Sequence, residues 1–290
     1  MKKWNHLLSE FRKLGGIADN IQLKEGKFGR GIFPIDPKTK SRIFVPVDLM
    51  IKRQDICLQG NKVTIRKDSN YKEGTTEFFD FYQENFSWGG GGRDQVEQFE
   101  EGLLNFNPNL KKLIKDNLKI DLKERHKGVW EDIIFREFFN ARCAQFNKQE
   151  RCCPIWELVN HNLPSFPFIL NQKGISTPNY PPREGEITQL YNHLSPIERF
   201  FCYGFFCKET IVFSFPFSIN LLDKKINFIC KGQTTRNDSI KINKSEDNLI
   251  INSLPIADVN NHKLPSYYFE EINKRSGMII SREYLKEIYE

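Results

Sequence analysis

Residues 154–162 read Pro154-Ile155-Trp156-Glu157-Leu158-Val159-Asn160-His161-Asn162. An apolar run carries the chain inward and ends on a polar Asn-His-Asn step. Downstream, Gly185-Glu186-Ile187-Thr188-Gln189-Leu190-Tyr191 reads as a short strand that ends on a tyrosine. Then Glu198-Arg199-Phe200-Phe201-Cys202-Tyr203-Gly204-Phe205 brings a second tyrosine, followed by glycine. Far upstream, Gly26-Lys27-Phe28-Gly29-Arg30-Gly31-Ile32-Phe33 is a glycine turn feeding a strand. Glycine there lets bare backbone groups approach a ligand without a Cβ in the way. The turn is not a dinucleotide-binding fingerprint, which needs a helix after it. Taken singly, each piece also has a plain reading. A turn is usually a turn, Asn-His is a common dipeptide, and tyrosines at strand ends pack the core with wet hydroxyls.

The bulk numbers bound the rest. A chain of 290 residues allows one large domain or two small ones. Hydrophobic content of 39% with 25 Phe is enough for a sizeable core. No window approaches the uninterrupted apolar length of a membrane helix, so no membrane association is expected. Met1-Lys2-Lys3-Trp4-Asn5-His6 opens the chain without an apolar h-region and does not read as a secretory signal. Seven cysteines include no Cys-x-x-Cys pair, and the five histidines show no metal-ligand spacing. Reduced thiols in a cytoplasmic protein, with no metal, are the expectation. The net charge of +6 is spread among compensating acids, without a dense basic stripe. A nucleic-acid partner is therefore not expected.

Along the chain, Trp4, Leu7, Leu8, Phe11 and Leu14 recur at helical spacing, and Gly15-Gly16 closes that helix. Short strand-like pieces follow at Ile17–Leu23, Gly31–Pro34, Arg42–Pro46 and Lys62–Arg66. After Tyr71 the pattern predicts helices over Thr76–Phe86, Arg93–Phe106, Asn109–Asn117 and Val129–Phe146. Ser87-Trp88-Gly89-Gly90-Gly91-Gly92 separates the first two. Glycines cannot propagate a helix, so the stretch reads as a hinge, with close backbone approach as the alternative. Trp130, Ile133, Ile134, Phe135, Phe138 and Phe139 form a broad apolar face, read as core. Strands return from Cys152 and run to about Ile219, interrupted by a proline-bearing loop over Leu163–Arg183. Residues 220–264 alternate weakly, and 266–290 read as helical. The expectation is an α+β chain: β-rich over 17–66, a helical insert over 71–149, β-rich over 152–217, and a smaller mixed region over 218–290.

The four pieces, in this order, resemble the SET-domain protein methyltransferases. Within them the likeness is to the group typified by the Rubisco large-subunit lysine methyltransferase. The glycine turn continues as that family's does, through Asp36-Pro37 and Ile43-Phe44-Val45-Pro46 to Ile51. Residues 154–162 resemble its Pro-x-x-Asp-x-x-Asn-His-Ser, with Glu157 where aspartate is usual and Asn162 where Ser or Thr is usual. The likeness covers most of residues 1–215 and fades beyond Phe217. It implies a SET domain over 1–217 with a curved, pseudoknotted β-core. It leaves 218–290 as a smaller region, offered as substrate-binding.

The resemblance also implies roles. The backbone of Phe28, Gly29 and Arg30 faces S-adenosylmethionine. Asn160 and His161 hydrogen-bond its adenine edge and amino-acid part. Arg142, otherwise an arginine at a helix end, holds its carboxylate, a task to which a guanidinium is suited. Tyr191 carries the catalytic hydroxyl and orients the target, while Glu157 and Tyr203 line the substrate channel. The implied activity is S-adenosylmethionine-dependent N-methylation of a lysine in a protein or peptide, releasing S-adenosylhomocysteine. Histidine is a second possible target. The competing reading is a non-catalytic SET-like protein-binding module.

Overall fold

The computed structural model describes residues 2–162, 165–178, 180–191, 196–205, 212–214, 217–221, 224–229, 232–234, 242–244, 248–251 and 257–258. Met1–Asn192 with Cys202–Gly204 form one compact unit, and His193–Phe201 with Phe205–Glu290 a second.

In the first unit, helix α1 (Lys2–Lys13) buries Trp4, Leu7, Leu8 and Phe11, one stripe at helical spacing. Gly16 then passes so close to the Phe11 ring that a Cβ would clash with it. Seven strands follow: β1 (Ile17–Asp19), β2 (Ile21–Gly26), β3 (Gly29–Pro34), β4 (Arg42–Pro46), β5 (Ile51–Lys52), β6 (Ile56–Gln59) and β7 (Lys62–Ile65). β2 and β3 form a hairpin whose last register pair is Gly26 with Gly29. Helices α2 (Thr75–Phe86), α3 (Arg93–Leu104), α4 (Pro108–Leu118), α5 (Leu122–Arg125) and α6 (Trp130–Arg142) come next. Strands return as β8 (Cys143–Phe146), β9 (Gln149–Cys152), β10 (Asn160–His161), β11 (Ile169–Asn171), β12 (Gly174–Ser176) and β13 (Thr188–Gln189). Helix α7 (Pro196–Tyr203) comes next in the chain, its residues 196–201 belonging to the second unit and 202–203 to the first.

The strands before and after the helices share sheets. β4 lies between β1 and β12, and β5 pairs with β9. The helices are thus inserted into one β-structure, giving a mixed α and β fold. One core joins α1 and the N-terminal strands to Ile155, Trp156, Leu158, Val159, Ile175 and Ile187. A second joins Ile134, Phe138 and Phe139 of α6 to Phe79, Trp88 and Ile56. The aromatic face of α6 is therefore core, as its spacing predicts. Among the described residues, no helix is long and apolar enough to cross a membrane.

Four local expectations are corrected. The glycine stretch 89–92, read as a hinge, forms a wide turn over Trp88–Gly92 that connects α2 to α3, and bare α-carbons allow it. A Cβ on Gly92 would lie 2.6 Å from the Ser87 carbonyl oxygen and 2.7 Å from Phe138. Helix α6 stops at Arg142 rather than at 146, because Cys143 turns extended and pairs with Cys152. The proline-bearing segment holds the β11–β12 hairpin, whose β12 pairs with β4. Tyr203 ends a helix, not a strand: Pro196 opens α7, and Gly204 at φ 73 follows it, as a left-handed glycine commonly does after a helix.

In the second unit, β14 (Val212–Ser214), β15 (Phe217–Leu221), β16 (Lys224–Phe228), β17 (Gly232–Thr234), β18 (Ile242–Lys244), β19 (Asn248–Ile251) and β20 (Ala257–Asp258) form two small sheets. The helix expected over 266–290 lies outside the described residues.

Candidate functional site

The segment that enters the site begins with a strained turn. Ile155 sits at φ 67, ψ −47, a region that a β-branched residue rarely adopts. It is the centre of a γ-turn in which the Trp156 N–H donates to the Pro154 carbonyl at 2.8 Å. Strain of this kind costs about 1–3 kcal/mol and persists only where the surroundings impose it. Here Ile155 is fully buried in the core. The turn delivers Asn160 and His161 as β10, which pairs in parallel with β13 through Asn160–Thr188 and His161–Gln189.

That pairing seats Tyr191. Its backbone N–H donates to His161 Nδ1 at 3.1 Å, and its phenol donates to the Val159 carbonyl at 2.7 Å. Because Nδ1 accepts, the neutral imidazole carries its proton on Nε2. The Tyr191 ring lies 5.2 Å from His161 and 5.4 Å, edge to face, from Tyr203. Burial pushes the Tyr191 phenol well above its ordinary pKa, and the positive charge of Arg142 only partly opposes this. The phenol is therefore a neutral O–H at physiological pH.

A cavity of about 290 Å³ is lined by Arg142, Trp156, Phe168, Gln189, Tyr191 and Tyr203, among others. Volumes near 300 Å³ lie at the small end of ligand sites and suit a side chain rather than a bulky molecule. Arg142 is the last residue of α6, with its guanidinium 5.3 Å from the Phe138 ring. It forms no ion pair among the described residues. Gln189 is fully buried, yet neither end of its amide has a hydrogen-bond partner among the described residues. Glu157 lines the cavity with its carboxylate already engaged: it accepts from Tyr82 at 2.8 Å, Ser87 at 2.6 Å and Cys152 at 3.4 Å. Those three bonds fasten the Asn-His segment to α2, the wide glycine turn and β9.

The glycine hairpin joins through Asn160. Its Nδ2 donates to the Arg30 carbonyl at 3.1 Å and to Glu186 Oε1 at 2.6 Å. A Cβ on Gly31 would clash with that same Asn160 amide and Glu186 carboxylate, so only glycine fits. Gly29, at φ 83, has open space where its Cβ would be. The Arg30 guanidinium turns away and donates to the carbonyls of Phe86 at 2.6 Å and Gly90 at 3.2 Å. The glycine stretch is thus a place of close approach, and Arg30 is what approaches.

Tyr191, Tyr203, Arg142 and Glu157 line the cavity, His161 packs against Tyr191, and Asn160 ties the same strand to the glycine hairpin. Arg30 joins through its backbone carbonyl. The Phe28 ring stands exposed at the hairpin tip with Lys27 Nζ 5.4 Å away. Sequence reading passed over Glu186, Gln189, Trp156 and Phe168 as site residues. The polar Gln189, between Ile187-Thr188 and Leu190, was the one legible signal among them. Among the described residues, no group of three or more His, Cys, Asp and Glu could hold a metal.

No protein-family model matches the chain, and no curated protein sequence does. Among solved structures, it is similar to the SET domain of LSMT bound to lysine and AdoHcy, at a TM-score of 0.41 and 14% identity, covering 76% of this chain and 60% of that one. It is similar to the same extent to Rubisco LSMT bound to sinefungin and monomethyllysine. Against Rubisco LSMT bound to AdoMet the TM-score is 0.39 and the identity 12%, over 82% of this chain and 67% of that one. The chain spans about three fifths of the length of the first two.

Proposed function

We propose that this chain is an S-adenosylmethionine-dependent N-methyltransferase acting on a lysine side chain of a protein or peptide, with histidine as the second target class. The observation that supports it most directly is the seating of Tyr191. One strand pair locks it against His161, and its neutral phenol stands on the wall of a small aromatic cavity.

The residues present fit an S-adenosyl cofactor. Its amino-acid part carries one positive and one negative charge. Among the described residues, Arg142 is a cation without an ion pair, and Glu186 Oε2 is a buried carboxylate oxygen without a partner. Gly29 leaves open space at the hairpin tip. Asn160, His161, Arg142 and the backbone of Phe28, Gly29 and Arg30 are the residues that would hold it. When bound, it supplies an electrophilic methyl group on a sulfonium.

The chain's own residues do the rest. Tyr191 gives its hydroxyl proton to Val159, so its oxygen keeps lone pairs with which to accept from an amine N–H. Trp156, Phe168 and Tyr203 exclude water, and desolvation favours the neutral amine over the ammonium. The charge of Arg142 pushes in the same direction. Holding the amine in line is worth roughly 7–11 kcal/mol in such transfers. In this reading Glu157 shapes the wall that the substrate meets. Residues 1–217 are the SET domain, within which all four motif pieces lie, and 218–290 are the smaller region offered to the substrate. The free thiols of Cys57, Cys143, Cys152 and Cys153 suit a reducing compartment, and the cytoplasm is the proposed location.

The test is Tyr191→Phe, assayed with methyl-labelled S-adenosylmethionine and cell extract as the source of acceptor proteins. The wild type labels an acceptor. The variant loses at least about a hundredfold of that activity, within the range of a positioned catalytic group, while still binding S-adenosylhomocysteine. Labelling retained by the variant would remove Tyr191 from this role. A wild-type protein that labels nothing but captures a partner would favour the non-catalytic binding module.

A further inference from the structure

Glu186 is a titratable group that the account above matches to the cofactor by charge alone and does not count among the residues that hold it. Its side chain lies against the turn end of the β2–β3 hairpin, beside Gly26 of one strand and Gly31 of the other. A Cβ on Gly31 would strike Oε1, and a Cβ on Gly26 would come within 2.9 Å of Oε2. Oε1 accepts from Asn160 at 2.6 Å, whereas Oε2 is buried and has no hydrogen-bond partner among the described residues. No ion pair reaches it among the described residues. Lys27, on the same hairpin, lies over the Phe28 ring, and the Arg30 guanidinium is spent on the carbonyls of Phe86 and Gly90. Burial pushes the Glu186 carboxyl above its ordinary pKa, against the opposing bond from Asn160.

A buried carboxylate oxygen without a donor is costly unless a ligand completes it. This one is held rigidly beside the Asn160 amide and the backbone of the glycine turn. The missing partner is a positive charge or an N–H donor. The neighbouring Asn160 amide is already spent, since both Asn160 Nδ2 bonds are made.

We propose that Glu186 is a cofactor-binding residue that supplies the countercharge for a cation of the S-adenosyl ligand. This rests on the cofactor reading above. The cation has two possible sources in one ligand, the α-ammonium and the sulfonium. Both would be met by the same carboxylate, and Asn160 positions that carboxylate through Oε1.

The experiment is calorimetric titration of the full chain and of Glu186→Gln with three ligands. S-Adenosylmethionine carries both cations, S-adenosylhomocysteine only the ammonium, and 5′-methylthioadenosine neither. Gln has nearly the same shape and can still accept from Asn160, so only the charge is lost. If the ammonium is the partner, the variant binds the first two ligands at least about tenfold more weakly and methylthioadenosine unchanged. If the sulfonium is the partner, only S-adenosylmethionine weakens. Equal loss for all three ligands, or for none, would overturn the assignment. Glu186→Met repeats the test with a second uncharged side chain of similar length, should the first variant not fold. Wild-type protein that binds none of the three would remove the cofactor reading itself. Wild-type protein that binds all three, with an unaltered variant profile, would remove Glu186 alone.

Discussion

The Tyr191 backbone N–H donates to His161 Nδ1 at 3.1 Å across a strand pair of only two residues on each side. His161 is buried, so the bond is shielded from water. Replacing His161 by Leu leaves the Tyr191 N–H without this acceptor. The expected loss of stability is about 1–3 kcal/mol, the cost of an unsatisfied buried donor. Urea unfolding measures it, and a change below about 0.5 kcal/mol, the scale of an ordinary surface substitution, would show that the bond does not hold the tyrosine.

Alkaline conditions should weaken the fold before acid thiols or phenols become reactive. Burial raises the pKa of Cys143, Cys152, Cys153, Tyr82 and Tyr191. In the unfolded chain the thiols ionise near pH 8.5 and the phenols near 10. The folded forms keep their protons over that range. The unfolded state then binds fewer protons, so stability is intact below about pH 8.5 and falls as pH rises beyond it. Denaturant midpoints at pH 7.5, 9 and 10 check this. Cys152→Ala and Cys153→Ala together should flatten the fall between pH 8.5 and 10, after allowance for their lower starting stability.

Gln189 gives a prediction of opposite sign. Its amide is fully buried with both ends unpartnered among the described residues. Gln189→Leu keeps much of the volume and removes the unsatisfied groups. The variant should be more stable by about 1 kcal/mol, read as a rise in the urea midpoint at unchanged slope. A loss of stability would mean that the amide is satisfied by groups that the ligand-free cavity supplies, such as ordered water.

The sequence carried the fold class and the pieces of the site because their signals are local. The stripe on α1, the aromatic face of α6 and the Asn160-His161 step are each visible within a dozen residues. The strands were legible only where they are long and alternating. β10 and β13 have two residues each, too few for a period, and their pairing is set by the strained turn at Ile155. The glycine stretch was misread because its partner, Arg30, lies far away in the chain. Tyr203 was placed on a strand because the apolar run Phe200-Phe201 reads equally well in either period, and Pro196 alone marks the helix start. The orphaned oxygen of Glu186 could not be foreseen, since it depends on where two glycines of a distant hairpin pass.

The central claim is that the Asn160-His161 step and the glycine hairpin hold an S-adenosyl group. Calorimetric titration of the purified chain with S-adenosylhomocysteine, beside Asn160→Ala, tests it most directly. Asn160 fastens both the Arg30 carbonyl and Glu186, so its removal should dismantle the site while leaving the cores intact. The account predicts one-to-one binding with a Kd on the order of micromolar, about 8 kcal/mol, lost in the variant. No heat and no thermal stabilisation of the wild-type protein by the ligand would contradict it.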